Sequence, residues 1–212
     1  MKNAIIFGDS YSTFKGYVPE GYICYYSENR RPETDVTRVE ETWWYQVVKE
    51  AGLNLIMNNS WSGSPICYTG YDNADCSETS SFICRFKKLK DEGFFEKNRV
   101  DTVFIFGGTN DNWCGAQLGE AKWENIEKED LYSVLPAVYL FLRLVRETLP
   151  EAEIYCLINT ELKDELTEAL LNASERNGIT PIRFKEIDKN CGHPTIKGMK
   201  DIKSAVLEVM DK

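Results

Sequence analysis

The sequence predicts an α/β fold in which a parallel β-sheet is covered by helices on both sides. Its short apolar runs are continuous rather than alternating, a pattern typical of strands that are buried on both faces. Helical patterns separate these runs over the whole length of the chain, as the right-handed crossovers between parallel strands require. The 212 residues contain no Pro-, Gly- or Ser-rich linker. We therefore expect one domain spanning residues 1–212.

The predicted elements alternate between strands and helices. Strands are expected at residues 3–7, 53–57, 102–106 and 153–158, with a weaker fifth strand at 181–184. Helices are expected at residues 42–51, 81–92, 131–149, 161–177 and 195–210. The connections at residues 11–41 and 111–130 are long, and long loops beside such a sheet are usually functional. Because ligands bind at the carboxyl ends of parallel strands, functional residues are expected directly after each strand.

Composition argues against two classes of partner. The formal net charge of −9 should repel nucleic-acid phosphates and anionic membrane surfaces. The one basic run, residues 85–90, is spaced like a solvated amphipathic helix whose apolar side carries Phe82, Phe86 and Leu89. Arg85 and the lysines of this run are expected in solvent. We therefore expect neither a nucleic acid nor a membrane as a partner.

Cysteine usage and the amino terminus indicate the compartment. The seven cysteines include no Cys-x-x-Cys pair, which fits free thiols in a reducing compartment and gives no basis for a zinc site. The apolar run at residues 4–7 is too short for a signal-peptide core or a membrane span. We expect a cytoplasmic protein that needs neither a metal nor another cofactor. The sequence leaves its oligomeric state open.

A serine and a histidine are expected at the same edge of the sheet. The first predicted strand ends in Gly8-Asp9-Ser10, which places the Ser10 hydroxyl at a strand-to-helix turn. The only histidine of the chain, His193, lies just before the last predicted helix. A serine nucleophile needs a base with a pKa near neutrality, which an imidazole provides. The pair predicts nucleophilic catalysis, with Ser10 as the nucleophile and His193 as its base.

Two further strand ends carry groups that can stabilise an oxyanion. A tetrahedral intermediate needs hydrogen-bond donors that are fixed in advance. The side-chain amide of Asn110, after the third strand, is one candidate donor, and the backbone N–H groups of Gly63 and Ser10 are two others. Asp9 and Asp111 are expected to fix the turn and the loop beside these residues.

These four segments, in this order, resemble the SGNH or GDSL-type hydrolase family over nearly the whole chain. The resemblance implies a flavodoxin-like three-layer α/β/α sandwich with a five-stranded, mostly parallel sheet. It implies an esterase that cleaves carboxylic esters through an acyl-enzyme. It also implies that Ser10 is the nucleophile, that Gly63 and Asn110 are oxyanion donors, and that His193 is the base.

One position departs from the family pattern. The family usually has an aspartate three residues before the histidine, where this chain has Asn190. Three groups can then orient the imidazole: the carboxylate of Asp188, the side-chain oxygen of Asn190, or a backbone carbonyl. The charge of Asp188 and its closeness in sequence favour it as the third catalytic residue. Changing the triad aspartate of a serine protease to asparagine lowers turnover by about 10⁴, so the residue that orients the histidine matters. The assignment of Asp188 to this role is a hypothesis.

Aromatic residues in the two long loops point to a substrate class. Aromatic faces beside polar groups suit sugar rings or flat acyl groups, or else pack the loops against the body. They favour a small-molecule or carbohydrate ester, with O-acetyl groups of carbohydrates as the preferred substrate. The residues concerned are Tyr11, Phe14, Tyr17, Tyr22, Tyr25, Tyr26, Trp113 and Trp123.

Three alternatives remain open at this level. An acyltransferase uses the same site with an acceptor other than water. A flavodoxin-like nucleotide-binding protein holds a phosphate with residues 8–13, a segment rich in hydroxyls. A non-catalytic carbohydrate-binding protein with the same fold is favoured by Asn190, whereas Ser10 and His193 favour an enzyme.

Overall fold

The structure, a computed structural model that describes residues 1–211, is built around one five-stranded β-sheet. In chain order the strands are β1 (Asn3–Gly8), β2 (Asn54–Ser60), β3 (Thr102–Phe106), β4 (Glu153–Ile158) and β5 (Thr180–Arg183). They lie side by side in the order β2-β1-β3-β4-β5, and every neighbouring pair is parallel. The chain adds strands on one side of β1 and then on the other, so the order reverses between β1 and β3. A crevice at such a reversal is where open α/β sheets bind ligands.

Helices connect these strands. In chain order they are α1 (Trp43–Glu50), α2 (Phe82–Asp91), α3 (Phe94–Lys97), α4 (Thr109–Trp113), α5 (Val134–Thr148), α6 (Asp164–Arg176) and α7 (Ile196–Met210). A short hairpin of β6 (Lys189–Asn190) and β7 (His193–Pro194) precedes α7. None of the helices within residues 1–211 is long and apolar enough to cross a membrane.

Two hydrophobic cores lie on opposite faces of the sheet. Ile5 and Phe7 of β1 belong to the core beneath α2, α5 and α6, whereas Ala4 and Ile6 belong to the core beneath α1 and α7. Successive side chains of a strand point to opposite faces, so a strand with two covered faces needs a continuous apolar run. The predicted fold class, a three-layer α/β/α sandwich with a five-stranded, mostly parallel sheet, is confirmed.

The element bounds differ from the prediction at two functional places. Strand β2 continues to Ser60, because its polar end is bonded internally: the Asn58 amide donates to Ser12 O at 2.8 Å and the Ser60 hydroxyl donates to Asn58 Oδ1 at 2.6 Å. The helix expected at 131–149 begins only at Val134, after a separate 3₁₀ turn at Glu129–Tyr132. Pro136, in the first turn of α5, needs no backbone hydrogen bond there.

Candidate active site

The predicted nucleophile and base meet at the carboxyl ends of the strands. Ser10 begins a 3₁₀ turn directly after β1 and is almost fully buried. His193 lies in β7, 183 residues further along the chain, and its Nε2 is 3.0 Å from Ser10 Oγ. This distance is within hydrogen-bond range, and an Nε2 that carries no proton can accept a hydrogen bond from the serine hydroxyl. The fold therefore brings the two residues into the contact that a nucleophile and its base require.

Asp9 holds the turn that presents Ser10. Its Oδ1 accepts a hydrogen bond from the backbone N–H of Tyr11 at 3.0 Å, and its own backbone N–H donates to Phe106 O at 3.3 Å. Burial raises the pKa of the Asp9 carboxyl to about 7. These contacts match the turn-fixing role expected from the sequence.

The hairpin that carries His193 is hydrogen-bonded to the long loop that follows Ser10, residues 11–41. The Tyr11 hydroxyl donates to Gly192 O at 2.5 Å, and the Tyr26 hydroxyl donates to Pro194 O at 2.9 Å. Cys191 and Gly192, the two residues between β6 and β7, have φ values of 47° and 76°. A two-residue hairpin loop with two positive φ angles is a type I′ turn. The turn and the two tyrosines fix the backbone on both sides of the imidazole.

A backbone carbonyl, rather than the Asp188 carboxylate, lies within hydrogen-bond distance of the second ring nitrogen, Nδ1. His193 Nδ1 lies 3.2 Å from the carbonyl oxygen of Cys191. The Asp188 carboxylate instead accepts a short hydrogen bond from the Thr195 hydroxyl at the start of α7. The Asn190 amide donates to Pro32 O at 3.3 Å. The expectation that Asp188 orients the imidazole is thus corrected, because its carboxylate is used in fixing the amino terminus of α7.

Asn110 is held with both ends of its amide bonded. Its Nδ2 donates to Ser64 O at 3.1 Å, and its Oδ1 accepts a hydrogen bond from the Tyr71 hydroxyl at 3.0 Å. A primary amide has two N–H groups, so one remains for an oxyanion. The Tyr71 contact was not foreseen, since Tyr71 begins a short 3₁₀ turn, Tyr71–Asn73, with no motif around it.

Gly63 lies in the loop that joins β2 to this part of the site. Its φ is +82°, a left-handed conformation that glycine adopts without strain. The loop is tied to β1 by the Trp61 N–H, which donates to Gly8 O at 3.1 Å. Its other end is tied to Asn110 through Ser64 O. The structure therefore places the Gly63 loop between the Ser10 turn and Asn110.

Asp111 anchors the chain just after the Gly63 loop. Its carboxylate accepts hydrogen bonds from the backbone N–H groups of Ile66 (2.9 and 3.0 Å) and Cys67 (2.9 Å). The side chain is fully buried, and burial raises the pKa of its carboxyl. Asp111 has the loop-fixing role that the sequence predicted.

Arg85 contradicts the expectation of a solvated side chain. It is only 1% exposed. Its guanidinium donates hydrogen bonds that reach β1, β2 and the Gly63 loop, with acceptors Ser80 O, Asn59 O, Asn59 Oδ1, Gly8 O and Ser64 Oγ. Burial lowers the pKa of Arg85 to about 10, so it is still charged at neutral pH. The spacing of Arg85 from Phe82 and Leu89 was a usable signal, because residues three and four apart share one helix face.

The loop aromatics divide into buried and open groups. Tyr11, Phe14 and Tyr26 are buried, and Trp123 stacks on Tyr139 at 3.7 Å, so these residues pack the loops against the body. Trp113 is 40% exposed, and its ring centroid is 5.6 Å from that of His193. Another aromatic pair, Tyr22 and Trp61, has centroids 4.3 Å apart in the loops beside the site.

The electrostatic surroundings keep the imidazole neutral. Burial lowers the pKa of His193 to about 4, and the positive charges of Arg31 and Lys189 add to this shift. The hydrogen bond to the Cys191 carbonyl acts in the opposite direction. A neutral imidazole can accept a proton, so the base is in its reactive form at neutral pH. Within residues 1–211, no cluster of three or more His, Cys, Asp or Glu side chains is arranged to hold a metal ion.

The sequence and the fold of this chain match those of known proteins. Residues 2–210 match the family described as GDSL-like lipase/acylhydrolase. A structure described as a GDSL-like lipase from Bacteroides ovatus is 42% identical, covers 100% of this chain and 98% of its own, and superposes with a TM-score of 0.91. A second one, from Bacteroides uniformis, is also 42% identical, covers 99% of this chain and 95% of its own, and has the same TM-score of 0.91.

A more distant structure shares the fold alone. An acetyl xylan esterase from Butyrivibrio proteoclasticus is 14% identical and has a TM-score of 0.64, with 99% of this chain and 63% of that chain covered. No curated protein matches this chain.

Proposed function

Because the chain belongs to the GDSL-like lipase/acylhydrolase family and is an esterase-type hydrolase, we propose that it cleaves esters through an acyl-enzyme on Ser10. The observation that carries this proposal is the 3.0 Å contact between Ser10 Oγ and His193 Nε2. A hydroxyl is a weak nucleophile unless a neighbouring base removes its proton. His193 is the only histidine of the chain, and no other imidazole can serve.

The first half of the reaction forms the acyl-enzyme. As Ser10 Oγ attacks the ester carbonyl carbon, His193 Nε2 takes the hydroxyl proton. The carbonyl oxygen becomes an oxyanion, which the backbone N–H groups of Ser10 and Gly63 and the second amide N–H of Asn110 stabilise. The C–O bond to the alcohol then breaks, and the imidazolium returns its proton to the departing alcohol oxygen.

The second half of the reaction releases the acid. Water attacks the Ser10 ester while His193 Nε2 accepts a proton from it, and the same donors stabilise the second oxyanion. The bond to Ser10 Oγ breaks, Oγ regains its proton, and the carboxylic acid leaves. Throughout, the Cys191 carbonyl accepts a hydrogen bond from the Nδ1–H group, which keeps the proton on Nδ1 and leaves Nε2 free to act as the base.

The substrate proposed for this site is an O-acetyl ester of a carbohydrate. Trp113 offers an open aromatic face beside His193, and the pair of Tyr22 and Trp61 lies in neighbouring loops. Such faces stack on sugar rings, while a small acyl group needs little space beside Ser10. The acetyl xylan esterase that shares the fold is consistent with this class of substrate.

The test compares sugar acetates with long-chain esters. We expect acetate release from acetylated xylo-oligosaccharides to have a higher kcat/KM than hydrolysis of p-nitrophenyl decanoate. Trp113→Ala should raise KM for the oligosaccharides and leave p-nitrophenyl acetate hydrolysis nearly unchanged. Ser10→Ala is the inactive control. Faster cleavage of the decanoate by the wild type would overturn the carbohydrate assignment.

A further inference from the structure

The imidazole of His193 is stacked on the ring of Tyr25, with centroids 3.5 Å apart and ring planes 4° from parallel. We infer that Tyr25 is a positioning residue that substitutes for the missing triad carboxylate. It holds the plane of the imidazole and stabilises the imidazolium that forms during the reaction. This inference rests on the proposed function, in which His193 is the base.

The other contacts of the imidazole leave this role open. The hydrogen bonds at Nδ1 and Nε2, to Cys191 O and Ser10 Oγ, both lie at the edge of the ring. The carboxylate of Asp188 is bonded to Thr195 and the amide of Asn190 to Pro32. The rings of Tyr11 and Trp113 meet the imidazole at 55° and 65°, so neither stacks on its face. The face-to-face contact with Tyr25 restricts the tilt of the ring, which the two edge hydrogen bonds do not.

Tyr25 is tied to the nucleophile turn and to the hairpin of the base. Its backbone N–H donates to Thr13 Oγ1 at 2.9 Å, and the Thr13 hydroxyl donates to Ser10 O at 3.0 Å. Its ring packs edge-on against Tyr26, with centroids 4.9 Å apart. Tyr26 in turn bonds to Pro194 O, next to His193. The stacked ring therefore connects the backbone around Ser10 with the backbone around His193.

The charge distribution gives the stack an electrostatic function. The face of a phenol ring is electron-rich and attracts a cation. The charges that shift the pKa of the imidazole are those of Arg31 and Lys189, both positive, and the phenol ring of Tyr11 lies at a centroid distance of 5.5 Å. Since no carboxylate bonds to the imidazole in residues 1–211, the groups that favour the protonated ring are the Cys191 carbonyl at its edge and the Tyr25 face.

Tyr25 is also unavailable as a sugar platform. The imidazole covers one face of its ring, and the Arg31 guanidinium lies 5.2 Å from the ring centroid. A sugar that stacked on Tyr25 would have to displace one of them. This occupancy separates Tyr25 from Trp113, whose ring is partly exposed.

The test compares Tyr25→Phe with Tyr25→Leu. Phenylalanine keeps the aromatic face, whereas leucine keeps apolar bulk without it. Tyr45→Leu, at a half-buried tyrosine of α1, is the matched control. We expect Tyr25→Leu to lower kcat for p-nitrophenyl acetate by about tenfold with KM nearly unchanged. Tyr25→Phe should lose less than about twofold.

A spectroscopic readout follows the imidazole directly. Because His193 is the only histidine, its ring gives one set of ¹H–¹⁵N signals. In the wild type and Tyr25→Phe we expect the Nδ1–H tautomer and upfield ring-proton shifts from the stacked aromatic ring. Tyr25→Leu should lose the upfield shift and show a second tautomer, while its circular dichroism stays that of the wild type.

The outcomes separate this inference from the proposed function. An absent upfield shift in the wild type, an unchanged kcat in Tyr25→Leu, or an equal loss in the Phe and Leu variants would overturn the role of the Tyr25 face. If the wild type and Ser10→Ala were equally inactive while the upfield shift was present, the stack would stand. In that case the proposed function, and with it the positioning role of Tyr25 in catalysis, would be wrong.

Discussion

The acid limb of the pH profile should lie far below that of an ordinary histidine. Burial and two nearby cations lower the pKa of His193 from 6.5 to about 4. The kcat/KM of an ester hydrolase follows the fraction of free enzyme whose base is neutral. At pH 5 this fraction is about 90% for a pKa of about 4 but only about 3% for a pKa of about 6.5. The enzyme should therefore keep most of its activity at pH 5.

The assay is initial-rate hydrolysis of p-nitrophenyl acetate from about pH 3.5 to about pH 8. Arg31→Met removes one of the two cations and should move the acid limb towards higher pH. Circular dichroism at each pH shows whether the protein is still folded. A limb between pH 6 and 7 in the wild type would refute the reasoning, because it would mean that neither burial nor charge acts on the imidazole.

Three further predictions concern the supporting residues. Arg85→Met should lower the free energy of unfolding, measured in urea, by about 3–5 kcal/mol, because several buried acceptors lose their donor. The control Lys88→Met, at an exposed position of the same helix, should change it by less than about 0.5 kcal/mol. Equal losses in the two variants would contradict the role of Arg85. Asp188→Ala should lower stability by about 1 kcal/mol through the lost Thr195 hydrogen bond and keep kcat within about twofold; a large drop in kcat with normal folding would restore Asp188 as a catalytic residue. Burial raises the pKa of Asp9 from 3.8 to about 7, so folding favours the protonated carboxyl and the free energy of unfolding should fall as the pH rises from 3.8 to about 7. Asp9→Asn should remove this fall, which is of order 4 kcal/mol. A variant whose unfolding has the same pH dependence as the wild type would contradict the shift.

The fold could be predicted because the pattern of apolar residues reports burial directly. Each strand of the sheet is covered on two faces, so its residues are apolar without interruption, as Ile5 and Ile6 illustrate. The location of Ser10 and His193 followed from the same reasoning, since segments after parallel strands meet at one edge. These inferences need only the order and type of elements.

The orientation of the base could not be predicted in the same way. It depends on a two-residue turn in which Cys191, a residue with no turn preference, has a positive φ. Charge and sequence distance favoured Asp188, but the start of α7 uses that carboxylate. The backbone conformation decides which of the three groups orients the imidazole. The number of residues between Asp188 and His193 says little about that conformation.

The roles of two supporting side chains, Arg85 and Tyr25, were not predicted from the sequence, for different reasons. Arg85 lies on the apolar face of α2 by its spacing, but a charged residue is rarely buried without a carboxylate partner. Here backbone carbonyls and side-chain oxygens take that place. Tyr25 belongs to a long loop without periodicity, so its stack on His193 is visible only in three dimensions.

The most direct test of the central claim is the fate of the acyl group on Ser10. Wild type, Ser10→Ala and His193→Ala are mixed with p-nitrophenyl acetate, quenched in acid and examined by intact-protein and peptide mass spectrometry, with initial rates measured in parallel. We predict an acetyl group on the Ser10 peptide of the wild type alone, and a rate loss of about 10³-fold or more in both variants. Full activity in Ser10→Ala, or an acetyl group on another residue during wild-type turnover, would contradict the account.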